Sequence, residues 1–318
     1  MKANKGIGMR FALIPVLALM LATGGCAGKK AEVNLGDESV TAARNIVQKA
    51  VADYSAGCNE LALRELNRAH ELFTLADDMA GVAMCMNNMG TVYRAADDPE
   101  SAVAFFDEAV TLYQGLGDRQ GALQALANKA TVLTENGDYA GAGAVLDRAE
   151  ALAPDLAMNF LPLLNNRGVL LAKQGAFEEA ETVLRKALGG TTPDTLSGHA
   201  TVNASLGNLM RQQGRYTEAL SFFHTALEAD TRLAYYRGMA DDLAAMAECG
   251  AALGNNGQAI EWLKRSIKIT ALTGDTIRAH NRFETLVALA EKEQADITIF
   301  SHLVKQWLKG DRVRSYCR

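Results

Sequence analysis

Proline and cysteine are scarce, with five of each in 318 residues, and there are only two tryptophans. So few prolines, placed at segment ends or between segments, exclude a loop-rich β protein, where turn punctuation is dense. Positive charge is also in deficit: 32 Lys and Arg stand against 37 Asp and Glu, for a net charge of −5. A sequence-independent nucleic-acid binder needs clustered Lys and Arg on its body. The one basic cluster here is the tail, Lys305, Lys309, Arg312, Arg314 and Arg318, which reads as a solvated terminus. No apolar run reaches the roughly 20 residues that a membrane-spanning helix needs; the longest, Phe11 to Ala22, has 12. There is no Walker loop, no GxSxG, no paired-cysteine motif and no HExxH among His70, His199, His224, His280 and His302. No catalytic residue, metal ligand or cofactor is therefore expected. The carboxylate pairs Glu178–Glu179 and Asp241–Asp242 read as surface charges near helix starts, where they complement the helix dipole.

What is present is 49% hydrophobic side chains arranged with a long period. A small residue recurs at Ala50, Gly90, Ala130, Gly168, Gly207 and Ala247, with spacings of 40, 40, 38, 39 and 40. Twelve residues after each comes an alanine (Ala62, Ala102, Ala142, Ala180, Ala219, Ala259), and four later a large apolar residue (Leu66, Phe106, Leu146, Leu184, Phe223, Leu263). Three further on a small residue returns: Ala69, Ala109, Ala149, Ala187, Ala226 and Ser266. Between the first two columns lies a helix breaker: Gly57, Asp97, Gly137, Gly175, Gly214 or Gly254. Two helices approach closely only where both carry small side chains, and a large residue one turn away fills the space beside the crossing. The breaker supplies the left-handed or capping conformation that ends the first helix. Each hairpin leaves an apolar face that only the next hairpin can cover.

These columns resemble the tetratricopeptide repeat, in its variety with a period near 40. The resemblance implies an all-α, right-handed α-solenoid of about six helix hairpins over residues 37–273. The columns stop at residue 273. Residues 275–292 and 294–309 still read as helices, so 274–318 is expected to be a pair of capping helices and the basic tail, with Phe300 and Trp307 on the inner side. Pro193 reads as the N1 proline of the fifth hairpin, and Pro162 predicts a late helix start near Asn159. Cys58 falls at the first hairpin corner, while Cys85 is about ten residues from the next; at 1.5 Å per residue that is roughly 15 Å, beyond disulfide reach. Buried or free thiols are expected, with Cys249–Cys317 bridged only if the tail folds back.

The N-terminus carries an address. Lys2, Lys5 and Arg10 precede the apolar run, and Thr23-Gly24-Gly25-Cys26 follows it. That order resembles the signal peptide and lipobox of a bacterial lipoprotein. The resemblance implies cleavage before Cys26, its acylation, and a short tether over 26–36. Thr23 stands where the family usually has Leu, which leaves ordinary cleavage after Gly24 or Gly28 as the alternative. Ala27, rather than Asp, favours by the same resemblance sorting to the outer membrane, facing the periplasm. Loss of residues 1–25 would take the net charge to −8.

In the tetratricopeptide family the first helix of each hairpin lines the concave surface. Asn88, Asn128 and Asn166 stand two residues before the crossing position, with Asn87 and Asn165 beside two of them and Asn208 just after it in the fifth repeat. A carboxamide both donates and accepts, so a row of them can pair with an extended peptide backbone whatever its side chains. Asparagine at this position is also common in the family, where it is solvated or caps locally. Met84, Thr91, Gln124, Thr131, Thr134, Val169 and Glu248 complete a weakly polar wall, while Arg94, Lys173 and Arg211 are expected at hairpin corners. That placement disfavours a clamp for a free C-terminal carboxylate. The implied partners are therefore proteins that offer an extended segment, in an envelope, secretion or pilus assembly. The rival reading is a small hydrophobic ligand, by resemblance to tetratricopeptide lipoproteins associated with TRAP-type transporters.

Overall fold

The computed structural model describes residues 35–191 and 195–309. The signal peptide, Cys26, Pro193, Cys317 and the end of the basic tail lie outside them. Among the described residues there are fifteen helices and no strand. They pair as α1 (Leu35–Ser55) with α2 (Asn59–Leu75), α3 (Met79–Ala95) with α4 (Pro99–Gly115), and α5 (Arg119–Glu135) with α6 (Tyr139–Leu152). After the single turn α7 (Pro154–Ala157) come α8 (Leu161–Lys173) with α9 (Phe177–Gly189), α10 (Leu196–Gln212) with α11 (Tyr216–Leu233), and α12 (Tyr236–Ala252) with α13 (Asn256–Leu272). Helices α14 (Thr276–Glu293) and α15 (Thr298–Leu308) close the array. The chain is a right-handed α-solenoid of six hairpins with a terminal pair. Among these helices none is long and apolar enough to cross a membrane.

The periodic columns are the packing. All eighteen residues of the three second-helix columns are buried, from Ala62 and Leu66 in the first hairpin to Leu263 and Ser266 in the sixth. Burying a Phe or Leu of this kind contributes roughly 1.5–3 kcal/mol. The large residue lies directly on the small crossing residue. A Cβ added to Gly90 would stand 2.7 Å from the Phe106 ring, and one on Gly207 would stand 2.8 Å from the Phe223 ring. All six breakers adopt positive φ, from +63° at Asp97 to +87° at Gly57. The second helix or the next first helix is then capped by an aspartate where one is present: Asp78, Asp98, Asp118, Asp138 and Asp275 each accept from the backbone N–H three residues on.

Two irregularities were only partly visible in the sequence. The repeat of 38 residues arises where α6 and α8 are short and α7 is inserted. Helix α8 starts at Leu161, with Pro162 in its first turn, two residues later than Asn159. Helix α1 begins at Leu35, so it takes in the last two residues assigned to the tether. At the far end Phe300 and Trp307 meet edge to face at 5.9 Å and pack on the core of the last hairpins.

Consecutive first helices lie side by side: α1 on α3, α3 on α5, α5 on α8, α8 on α10, and α10 on α12. They form the inner wall, and the second helices lie outside. The wall coils far enough for the array to meet itself. Arg237 Nη1, early in α12, donates to the Ala95 carbonyl at the end of α3 at 3.0 Å. The rings of Tyr54 and Tyr235 lie 6.5 Å apart. Gly57 is packed against Thr273 so closely that a Cβ would stand 2.6 Å from it. The edge of the first two hairpins thus stacks on the edge of the last ones, around a cavity of about 880 Å³.

The expectation of free thiols holds for Cys85 and Cys249, which are buried. Burial pushes the Cys85 thiol up to about 12 and the Cys249 thiol up to about 11, so neither is a nucleophile near neutral pH. It fails at Cys58, which is disulfide-bonded, and its partner lies outside the described residues. For Cys58 the spacing was weighed against Cys85 alone, and that limit explains the miss.

Candidate functional site

The inner wall carries two adjoining cavities. One, of about 440 Å³, lies between α5, α8 and α10 and is lined by Thr131, Thr134, Asn165, Asn166, Val169 and Asn208 among others. The second, of about 770 Å³, lies between α10, α12 and α14. Glu135, Ser205, Asn208 and Arg211 border both, so the two form one continuous groove.

The structure brings Asn165, Asn166 and Asn208 together on the groove and places Asn87, Asn88 and Asn128 upstream along the same wall. Much of the carboxamide row is bonded within the protein. Asn128 Nδ2 donates to Asn87 Oδ1 at 2.9 Å, tying α5 to α3, and Asn128 Oδ1 accepts from Gln124 Nε2 of its own helix at 3.0 Å. Asn166 Nδ2 donates to the Ala127 carbonyl at 2.6 Å and to Thr131 Oγ1 at 2.9 Å, tying α8 to α5. Asn88 Nδ2 donates to Met84 of its own helix. Asn208 Nδ2 donates to the Ala204 carbonyl, and its Oδ1 accepts from Arg211. Asn165 differs. It is buried, its Nδ2 reaches Asn166 Oδ1 only at 3.4 Å, and its Oδ1 has no donor in the protein.

Arg211 stands at the hairpin corner as expected, in the last turn of α10, but its side chain turns inward, where it pairs with Glu248 of α12. Its Nε is buried without an acceptor. The smaller cavity therefore presents one unused acceptor, Asn165 Oδ1, and one unused donor, Arg211 Nε. Leaving a buried polar atom unpaired costs about 1–3 kcal/mol, and an occupant that supplies the partner recovers it.

The reading of Asp241–Asp242 as a solvated pair fails at Asp242. Asp241 is half exposed and held by Arg278 at 3.2 Å and by Arg282. Asp242 is 3% exposed, and its Oδ2 has no donor. Burial, reinforced by Asp230 and Asp241, pushes its carboxyl up to about 8. Asp230, in α11, is 6% exposed and is pushed up to about 7 by burial and by Asp241. The period held the signal. Asp242 stands five residues before the crossing position, where the second to fifth hairpins have Cys85, Ala125, Leu163 and Val202, all buried, and the first has the exposed Asn45. Asp230 stands seven after the large residue, in the column of Phe73, Tyr113, Ala153, Thr191 and Thr270.

Tetratricopeptide repeat models match residues 41–115 and 199–271, residues 87–157, and residues 163–190. The chain belongs to the tetratricopeptide repeat family. Its repeats make it a protein-interaction scaffold. No curated protein sequence matches it. Among solved structures, the Rap conjugation gene regulator of the plasmid pLS20 in complex with the Phr* peptide is similar over 93% of this chain and 80% of that one, with a TM-score of 0.64 and 14% identity. A Rap protein complexed with competence and sporulation factor is similar over 78% and 74%, with a TM-score of 0.51 and 14% identity. The type IV pilus biogenesis factor PilW is similar over 70% of this tetratricopeptide chain and 90% of its own, at 19% identity and a TM-score of 0.46. The two Rap likenesses show the fold alone. Among the described residues no group of three or more His, Cys, Asp or Glu could hold a metal ion.

Proposed function

We propose that this protein is a lipid-anchored tetratricopeptide scaffold on the periplasmic side of the outer membrane. Its inner groove holds an extended segment of a partner in an envelope, secretion or pilus assembly. The observation that carries the groove reading is the pair of unused groups on one wall: Asn165 Oδ1 awaits an N–H and Arg211 Nε awaits a carbonyl. An extended peptide offers both at regular intervals. Two proteins of similar fold are complexed with the Phr* peptide and with competence and sporulation factor, which supports a binding use of the fold here. The anchor rests on Cys26 behind its basic and apolar leader. A small hydrophobic acid is the less suited occupant, because the larger cavity sets Asp230 and Asp242 on its wall and each arginine there already has an acidic partner.

In-cell photo-crosslinking from position 205, on the groove, is expected to capture a polypeptide that position 182, on the exposed side of α9, does not. Equal yields from both positions would remove the groove from the account. Labelled palmitate is expected in the wild-type protein and absent from Cys26→Ser. Incorporation that survives that change would refute the anchor.

A further inference from the structure

Two acids stand at a single junction in columns whose other members are uncharged. Asp230 stands where other hairpins place Phe73, Tyr113, Ala153, Thr191 and Thr270, all uncharged, and it lies on the first turn of α12: a Cβ on Gly238 would stand 1.7 Å from its Oδ2. Phe73 occupies the same position over Gly81, and Tyr113 over Gly121. Asp242, one turn further along α12, stands where other hairpins have Asn, Cys, Ala, Leu or Val. Both line the cavity of about 770 Å³ between α10, α12 and α14. Neither has a basic partner. The two arginines of that wall are engaged elsewhere, Arg211 with Glu248, and Arg282 with Asp241 and, at 2.6 Å, with Thr270. A carboxyl that is 97% buried with an oxygen lacking any donor is destabilising in the empty protein. A positively charged donor in the cavity reverses that cost, since it supplies both the missing hydrogen bond and the counter-charge.

We propose that this cavity receives a cationic group of the segment held in the groove, a lysine or arginine side chain or a free amino terminus, with Asp230 and Asp242 as its counter-charges. The inference rests on the groove reading and adds a selectivity to it: the neutral wall around Asn165 and Asn208 takes backbone, and the acidic end takes a positive anchor. It also requires proton release. The charged groups facing the two acids are Asp241 and Glu248 on α12, Arg211 on α10, Arg282 on α14 and Glu135 on α5. With carboxyls near 7 and 8, part of the pair is protonated at neutral pH, and a bound cation drives those protons off.

The test is selection of a random decapeptide library on the purified full-length protein, followed by synthesis of the selected peptides in three forms. One is unmodified, one has its basic residue replaced by Gln, and one is N-acetylated. Selected peptides are expected to share a basic anchor or to need a free amine. Loss of that one group should weaken binding about 30-fold or more, as for other buried charge pairs. Which form loses affinity identifies side chain or terminus. Asp242→Asn is expected to abolish the preference and to leave the Gln form unaffected. Asp230→Asn is the second variant, and circular dichroism checks the fold of each. Calorimetry of the wild type at pH 7 in two buffers of different ionisation enthalpy should detect the released protons without any variant. Peptides selected with no charge preference, or binding without proton release, would overturn the inference and leave the groove standing. A library that yields no binder would overturn both.

Discussion

Between α3 and α8 the inner helices are tied to one another by carboxamides and by one ion pair at their ends, Arg94 to Glu135, whereas between α10 and α14 the ties are ion pairs: Arg211 to Glu248, and Arg278 and Arg282 to Asp241. The two regions share every packing column, so the difference lies only in side chains that the repeat does not need. In the first region the Asn128–Asn87 and Asn166–Thr131 bonds use up donors and acceptors. In the second, two acids remain buried with no basic partner. A periodic scaffold can thus keep one architecture and concentrate its recognition at a single junction, by letting charged residues into columns that are uncharged elsewhere.

If packing is common to both regions, its disruption should cost both alike. Gly207→Val, against Phe223, and Gly90→Val, against Phe106, are each expected to destabilise by about 2–3 kcal/mol. That is roughly 4–12 °C in thermal midpoint, read by circular dichroism. A much smaller loss at either site would break the equivalence of the two regions. Next in size is the response to pH, which should belong to the second region alone. Asp230 and Asp242 have folded-state values raised above the usual carboxylate range, so the folded chain holds more protons than the unfolded one between about pH 4 and 8. Stability contributed by the two acids is complete below about pH 4 and is lost as pH rises through 7 to 8. The wild-type midpoint should fall between pH 6 and 8.5 by at least about 2 °C more than that of the Asp230→Asn, Asp242→Asn double variant. Parallel melting curves for the two proteins would refute the buried assignment. The smallest effect is expected from Asn166→Ala, which removes the bonds to Ala127 and Thr131 for about 1 kcal/mol. Hydrogen exchange should rise in α5 and α8 and stay unchanged in α12 and α14; a global rise would mean that the carboxamide tie is not local.

The fold was legible because its signal is redundant. Gly90, Ala102, Phe106 and Ala109 recur in register in five other hairpins, and each helix corner at Asp97 or Gly137 sits where the period places it. The groove was legible in part. Asn165, Asn166 and Asn208 do line it, but sequence could not say that Asn128 would be occupied by Asn87, because both are first-helix residues 41 positions apart whose rotamers decide the matter. Asp242 was misread because an acid in the early part of a helix is usually solvated near the dipole's positive end. Alignment against Cys85, Ala125, Leu163 and Val202 places it in a buried column instead. The stacking of Arg237 on Ala95 depends on the accumulated coil of several hairpins and has no local signal at all.

That stacked edge has a consequence for how such a chain can change over generations. Repeat arrays ordinarily gain or lose units with little penalty, since each unit touches only its neighbours. Here the third helix must arrive opposite the twelfth, with Tyr54 beside Tyr235 and Gly57 beneath Thr273. Inserting or deleting one hairpin would rotate those partners out of register, so the number of units is locked by geometry, and with it the bore of the coil.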